Sequence, residues 1–235
     1  MMMRLDRFLS ESTDLTRSQA KQALRRGEVS VDGEPVRSGA LHVDDEQDVL
    51  WLGEPIARIG FRYLMMHKPE GVECSLKPTH YPSVLSLIEI EQRERLHPVG
   101  RLDVETSGLL LISDDGQWTH RVTTPNRDCL KRYRATLAEP MDEKDAERVT
   151  ARFKKGVTLE GEDKPTKPAT FERLSEQDVL IGVTEGRYHQ VRRMMTAVGH
   201  SIVSLHRESI GPLELDPDLE PGECRHLRPE EIAAF

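Results

Sequence analysis

Between residues 16 and 27 the chain reads TRSQAKQALRRG, and its Ala20, Ala23 and Leu24 recur at the spacing that gathers residues on one helical face. Thr16 can accept from the first free amides and Gln19, three residues on, can return the bond; Gly27 suits a left-handed stop, so a helix is predicted here. On another side Arg17, Lys21 and Arg25 recur every four residues, which stacks three cations. EVSVDGEPV, at 28–36, then alternates apolar and polar residues around Asp32 and Gly33, a pair suited to a tight hairpin. A stretch with Gly53, Pro55 and Gly60, at 52–61, reads as a linker.

Beyond it the pattern changes to short apolar runs: RYLMMHKPEGV, closing at Lys68, Pro69 and Gly71; GLLLI at 108–112, closed by DDG; KRYRATL at 131–137, with Tyr133, Ala135 and Leu137 on one face; and DVLIGVTEG. In 185–199 the residues Val191, Met194, Met195 and Val198 return to helical spacing, with Gly199 as the stop. Strands mixed with helices without regular alternation predict an α+β chain. A small N-terminal domain of helices plus a hairpin, at 1–60, precedes a larger domain at 61–235 on a mixed, mainly antiparallel sheet.

Composition narrows the setting. The 235 residues suffice for a buried core, charge interrupts MMMRLDRFLS too early for a signal peptide, and no apolar run approaches a membrane span. A soluble, cytoplasmic chain that contacts no membrane is expected, and a monomer, since no heptad pattern stands out. Cys74, Cys129 and Cys224 lie far apart without a CxxC pair, which predicts reduced thiols. The histidines include no HExxH, so no metal site is predicted, and no motif calls for a cofactor. The net charge of -8 speaks against indiscriminate coating of nucleic acid, but the cations are concentrated locally. Residues 16–27 carry four cations and no acid, 121–134 carry five against Asp128, and 186–207 carry four and none. Such patches suit phosphates.

The chemistry centres on GRLDVETSGLLL at 100–111, where Asp103 stands ahead of an apolar run. It can be a turn cap, an ion-pair partner, a nucleophile or a general base. If Asp103 and Glu105 shared a strand face they would lie about 7 Å apart, within reach of a glycosidase-like pair. In EGRYHQVRRMMTAVG, Arg193 points away from the apolar face and reads as a solvated or phosphate-facing charge. Arg192 sits at the border, where a half-buried guanidinium can partner a carboxylate. Tyr133, between Arg132 and Arg134, suits either core packing or stacking on an unstacked base.

Two resemblances follow from these motifs. RLDRFLSESTDLTRSQAKQALRRGEVSVDGEPVRSGA resembles the S4 RNA-binding domain, which implies that Arg17, Ser18, Lys21, Arg25 and Arg26 contact RNA phosphates. HKPEGV, GRLDVETSGLLL, the Tyr133 segment and EGRYHQVRRM, in that order, resemble the RsuA/RluA superfamily of pseudouridine synthases. DDGQWTHRVTTP, AVGHSIVSLHRESIG and LEPGECRHLRPEEI point to its small-subunit, RsuA-type branch. This resemblance implies Asp103 as catalytic carboxylate, Tyr133 stacking on or deprotonating the target base, an Arg192–Asp103 ion pair, and Arg101 helping to displace the base. It implies an isomerase without cofactor acting on small-subunit (16S) ribosomal RNA, naked or as a partly assembled ribonucleoprotein. A synthase for large-subunit RNA and a non-catalytic RNA-binding assembly factor are the alternatives.

Overall fold

A computed structural model describes residues 2–44, 46–56, 60–124 and 129–235, and its contacts divide the chain into Met1–Phe61 and Arg62–Phe235. Arg127 and Asp128 of the basic run, and 57–59 of the expected linker, lie outside the described residues.

The first unit opens with strand β1 (Met3–Arg4) and helices α1 (Leu5–Ser12) and α2 (Arg17–Arg26). The predicted capping box is formed: Thr16 Oγ1 accepts from Gln19 N while Gln19 Oε1 accepts from Thr16 N at 2.8 Å. Gly27, at φ 76°, ends the helix in the left-handed region. The β2–β3 hairpin (Val29–Val31, Glu34–Pro35) turns at Asp32 and Gly33, with φ of 52° and 83°. Strand β4 (His42–Val43) pairs with β1, and β5 (Val49–Trp51) with β2. The expected linker is in part a second hairpin, because Leu52 and Gly53 also take positive φ and return the chain as β6 (Glu54–Pro55) against β5. Glycine alone reads as a break; the register of β5 with β6 shows it to be a turn. Leu5, Leu9, Ala20, Ala23, Leu24, Val29 and Val49 close a core of their own.

The second unit is built on one mixed sheet. Its strands are β7 (Tyr63–Lys68), β8 (His97–Val99), β9 (Thr106–Ser113), β10 (Lys131–Leu137), β11 (Thr170–Arg173), β12 (Asp178–Val183), β13 (Ile202–Ile210), β14 (Leu213–Glu214) and β15 (Cys224–His226). The main path runs β11-β12-β10-β13-β9-β7-β15, with β8 beside β9 and β14 beside β13. Among the described residues every pairing is antiparallel except β9 with β13. Helices α3 (Gly116–Thr123), α4 (Glu143–Lys155), α5 (Gln190–Ala197) and α6 (Pro229–Ala233) complete it.

The sheet is covered on both faces. Leu110 and Ile112 of β9 join one core with Met194 and Met195 of α5 and Phe153 of α4, whereas Leu109 and Leu111 join another with Trp118 and Val122 of α3. That is why GLLLI is continuously apolar rather than alternating. Among the described residues no helix is long and apolar enough to cross a membrane.

Candidate active site

Asp103 lies in the loop between β8 and β9, where Thr106 N donates to the Asp103 carbonyl at 3.1 Å and closes a turn over Val104 and Glu105. The two acids therefore share no strand face, and Glu105 is exposed, so the strand geometry a glycosidase-like pair would need is absent.

The loop is held from beneath by Lys68, at the end of β7. Its side chain is 0 % exposed, and Nζ donates to the carbonyls of Pro69 at 2.9 Å, Asp103 at 3.1 Å and Thr106 at 2.8 Å. Burial pushes its pKa below the usual lysine range. Gly71 N adds a bond to the Val104 carbonyl at 2.9 Å, and Cys74 Sγ accepts from Leu102 N at 3.4 Å. The apolar pattern alone marks Lys68 only as the end of a strand. HKPEG is instead the brace of the aspartate loop, a role that a lysine within an apolar run foreshadows, since such a cation needs several buried acceptors.

Gly108 follows in β9 at φ 106°, and a Cβ there would stand 2.3 Å from the Arg207 carbonyl oxygen. Its absence lets β13 lie parallel against β9, with Arg207 opposite Gly108. Tyr133 is buried on β10, opposite Ile181 of β12 and Arg207 of β13.

Arg192 sits in the first turn of α5, half-buried. Its Nη2 donates to the Glu105 carbonyl at 2.9 Å and its Nη1 to the Ile202 carbonyl at 3.1 Å. Its expected ion pair with Asp103 is not formed. The guanidinium instead grips the backbone two residues past the carboxylate. The group at ion-pair distance from Asp103 Oδ1 is His189 Nε2, at 3.6 Å. His189 precedes α5 in the left-handed region, at φ 48°, a conformation uncommon for a side chain of this size. Gln190 secures this bend: its Oε1 accepts from Arg187 N at 2.8 Å and its Nε2 donates to Glu185 at 2.9 Å. No signal in the sequence marks His189: in the left-handed region ahead of α5 it stands outside the spacing that groups residues on one helix face. Arg193 is neither solvated nor phosphate-facing: it donates to Glu162 at 2.6 Å and to the Glu160 carbonyl at 2.8 Å.

Loops, strands and the start of α5, from four parts of the unit, thus surround a cavity of about 530 Å³, lined among others by Arg101, Asp103, Tyr133, His189, Arg192 and Arg207. Arg101 is exposed at its edge. Lys131 also lines it, and burial lowers the pKa of that lysine. A carboxylate, an aromatic ring and several cations around one concavity can hold a planar, carbonyl-rich ring and stabilise negative charge developing on it. No cluster of three or more His, Cys, Asp or Glu that could hold a metal occurs among the described residues.

In the first unit Arg17, Ser18, Lys21, Arg25 and Arg26 are all exposed on α2. Asp6, fully buried in α1, anchors part of this face: its carboxylate lies 3.6 Å from Arg17 and 4.0 Å from Lys21 and is bonded by Arg4 at 2.9 Å. The Arg4 hydrogen bond holds the Asp6 carboxyl below the usual range. Arg26 pairs with Glu28 at 2.7 Å.

Residues 3–50 match the S4 domain family and residues 62–197 the family described as RNA pseudouridylate synthase. The ribosomal small subunit pseudouridine synthase A of Vibrio cholerae serotype O1 is 47% identical over 233 residues, covering 99% of each chain. The proteins of the same name from Yersinia pestis and Escherichia coli K12 are each 45% identical, over 99% of this chain and 97% and 99% of theirs. A crystal structure titled as a pseudouridylate synthase superposes with a TM-score of 0.69 at 42% identity, over 99% of both chains. With the synthase family matched across more than half of its length and such relatives aligned nearly end to end, the chain belongs to the small-subunit pseudouridine synthases, isomerases that carry an S4 domain ahead of the synthase domain.

Proposed function

We propose that this chain converts one uridine of 16S ribosomal RNA to pseudouridine, with Asp103 as the catalytic carboxylate. The observation that carries the reading is the single cavity lined by Asp103, Tyr133, Arg192 and Arg101, residues drawn from three separate stretches of sequence. Residues 1–60 act as the RNA-binding domain and 61–235 as the catalytic domain, and the rRNA substrate places the work in the cytoplasm.

The reaction needs no redox change and no external group. The N1–C1′ bond breaks, the uracil turns while it stays bound, C5 joins C1′, and the C5 proton is lost while N1 gains one. Asp103 assists the loss of uracil as nucleophile or base at the sugar, or adds to C6 of the ring. Inside an RNA helix both ring faces are covered, so the nucleotide flips into the cavity. Tyr133 lies against the ring, Arg101 at the exposed edge helps displace the base, and Arg192 fixes the Asp103 loop through the Glu105 carbonyl. Arg17, Ser18, Lys21, Arg25 and Arg26 hold flanking phosphates.

The test is to incubate small-subunit rRNA transcript, free or carrying early ribosomal proteins, with wild type and Asp103→Asn, and to map pseudouridine chemically. One modified uridine is expected with wild type and none with the variant, while both bind RNA. The same blank map for both proteins on every assembly state would favour a binding factor, and modification confined to large-subunit RNA would overturn the substrate.

A further inference from the structure

Arg207 is unaccounted for by these roles. It is 2 % exposed, yet it lines the cavity. Its Nε donates to the Leu109 carbonyl at 2.8 Å, and its Nη1 reaches the Tyr133 hydroxyl at 3.4 Å. Its Nη2 is closed off from solvent and donates to nothing. Its guanidinium carbon stands 6.0 Å from the centre of the Tyr133 ring. Among the described residues no carboxylate pairs with it, and charges near enough to feel it include two further cations, Lys68 and Lys131. A guanidinium does not shed its proton at any pH a protein tolerates. A buried, uncompensated cation with an idle donor destabilises the fold, and its retention calls for an anionic or carbonyl ligand to complete it.

We propose that Arg207 acts electrostatically in the isomerisation: its guanidinium, in the wall of the cavity, stabilises the uracil anion once the ring has detached. This rests on the function proposed above. When N1–C1′ breaks, the bonding pair leaves on the uracil and spreads over N1 and both carbonyl oxygens. Asp103 balances the sugar either by bonding to C1′, to be displaced later, or by taking the C2′ proton and returning it. C5 then bonds to C1′, its proton passes to a base, and N1 is protonated, so the product is an isomer and Arg207 is unchanged. The depth of Arg207 decides for the ring over a phosphate: it has almost no exposure, whereas the backbone of a flipped nucleotide stays near the exposed edge, where Arg101 stands. Acting only once the charge has formed, such a cation raises the rate rather than the affinity.

The test measures single-turnover rates for wild type, Arg207→Lys and Arg207→Met on small-subunit RNA carrying uridine or 5-fluorouridine at the modified position. Fluorine makes the uracil a better leaving group that needs less stabilisation; because C5 then has no proton to lose, the fluorinated ring stops after C5–C1′ bond formation and takes up water across N1=C6, so chromatography follows the loss of uridine or 5-fluorouridine rather than the gain of pseudouridine. On uridine, Arg207→Met should be ~100-fold slower with unchanged RNA affinity, and Arg207→Lys intermediate. On 5-fluorouridine both deficits should shrink several-fold. Equal deficits on the two RNAs would mean a positional role, a deficit that disappears at saturating RNA would mean phosphate binding, and no deficit would mean no role; each overturns the proposal. If Arg207→Met does not fold, as read by its melting curve, the two-RNA comparison with Arg207→Lys decides. A wild type that modifies no uridine would defeat the underlying function instead.

Discussion

Lys68 shows how much a single buried side chain carries here. With no exposed surface, its ammonium serves the carbonyls of Asp103 and Thr106, at the two ends of the turn that presents the Asp103 carboxylate, and that of Pro69 beside it. Replacing it by methionine keeps the length and removes every donor. Lys68→Met should therefore lower stability by on the order of 3 kcal/mol in urea unfolding. On the protein that remains folded it should slow modification about 100-fold, because the carboxylate loses its fixed position. An unchanged urea midpoint would show that the carbonyls find other donors; a folded variant of full activity would show that the loop needs no brace. Arg192 is the companion case. Its border position on α5 was readable from helical spacing, but its partner was not: the guanidinium reaches the Glu105 carbonyl, and His189 faces the carboxylate. Helical phase says which way a side chain points; what waits there depends on loops from other parts of the chain.

At the scale of elements, α2 is the part of the molecule most fully written in local sequence. Its cap, its stop and its cationic face all follow from residues within ten or so positions, and each is present. Asp6 beneath the face was not readable, since it comes from α1 and meets Arg17 and Lys21 only once the two helices pack. If α2 is the RNA-contacting surface, Lys21→Ala should weaken binding and make the plot of log affinity against log salt shallower by about 0.7, one phosphate contact on single-stranded RNA. Modification of RNA already bound should proceed as before. A slope identical to wild type, measured by filter binding across a salt series, would remove this face from the interface. In the synthase unit the four predicted strands are β7, β9, β10 and β12, but their neighbours were not predictable. The parallel β9–β13 ladder, which sets Arg207 opposite Gly108, depends on a glycine whose missing Cβ matters only against a strand about a hundred residues away.

Across the molecule, the C-terminal segment closes the synthase unit by a clasp. Arg225 on β15 bonds Asp216 at 2.6 Å and both carboxylate oxygens of Glu231 on α6 at 2.8 Å, and Trp118 of α3 donates to the Ile232 carbonyl at 3.0 Å. The Arg225 hydrogen bonds lower the Glu231 pKa from 4.5 to about 2. Folding thus favours the ionised form, so the stabilisation is complete above about pH 4.5 and disappears as pH falls through about 2. Glu231→Gln should melt below wild type at neutral pH, with the gap closing over that acid range; a gap of constant size from pH 6 to pH 2 would mean that the pair adds nothing through its charge. Local sequence was enough to establish two units, an α+β class, the helix of the S4 domain and the stretch that bears Asp103, because caps, turns and apolar periods act over a few residues. The brace at Lys68, the His189 neighbour of Asp103 and the unpaired cation at Arg207 emerged only in three dimensions. Each is a contact between segments far apart in the chain, set by which strands adjoin and how closely their backbones approach. GRLDVETSGLLL announces a carboxylate before a buried strand; the fold around it decides what that carboxylate faces.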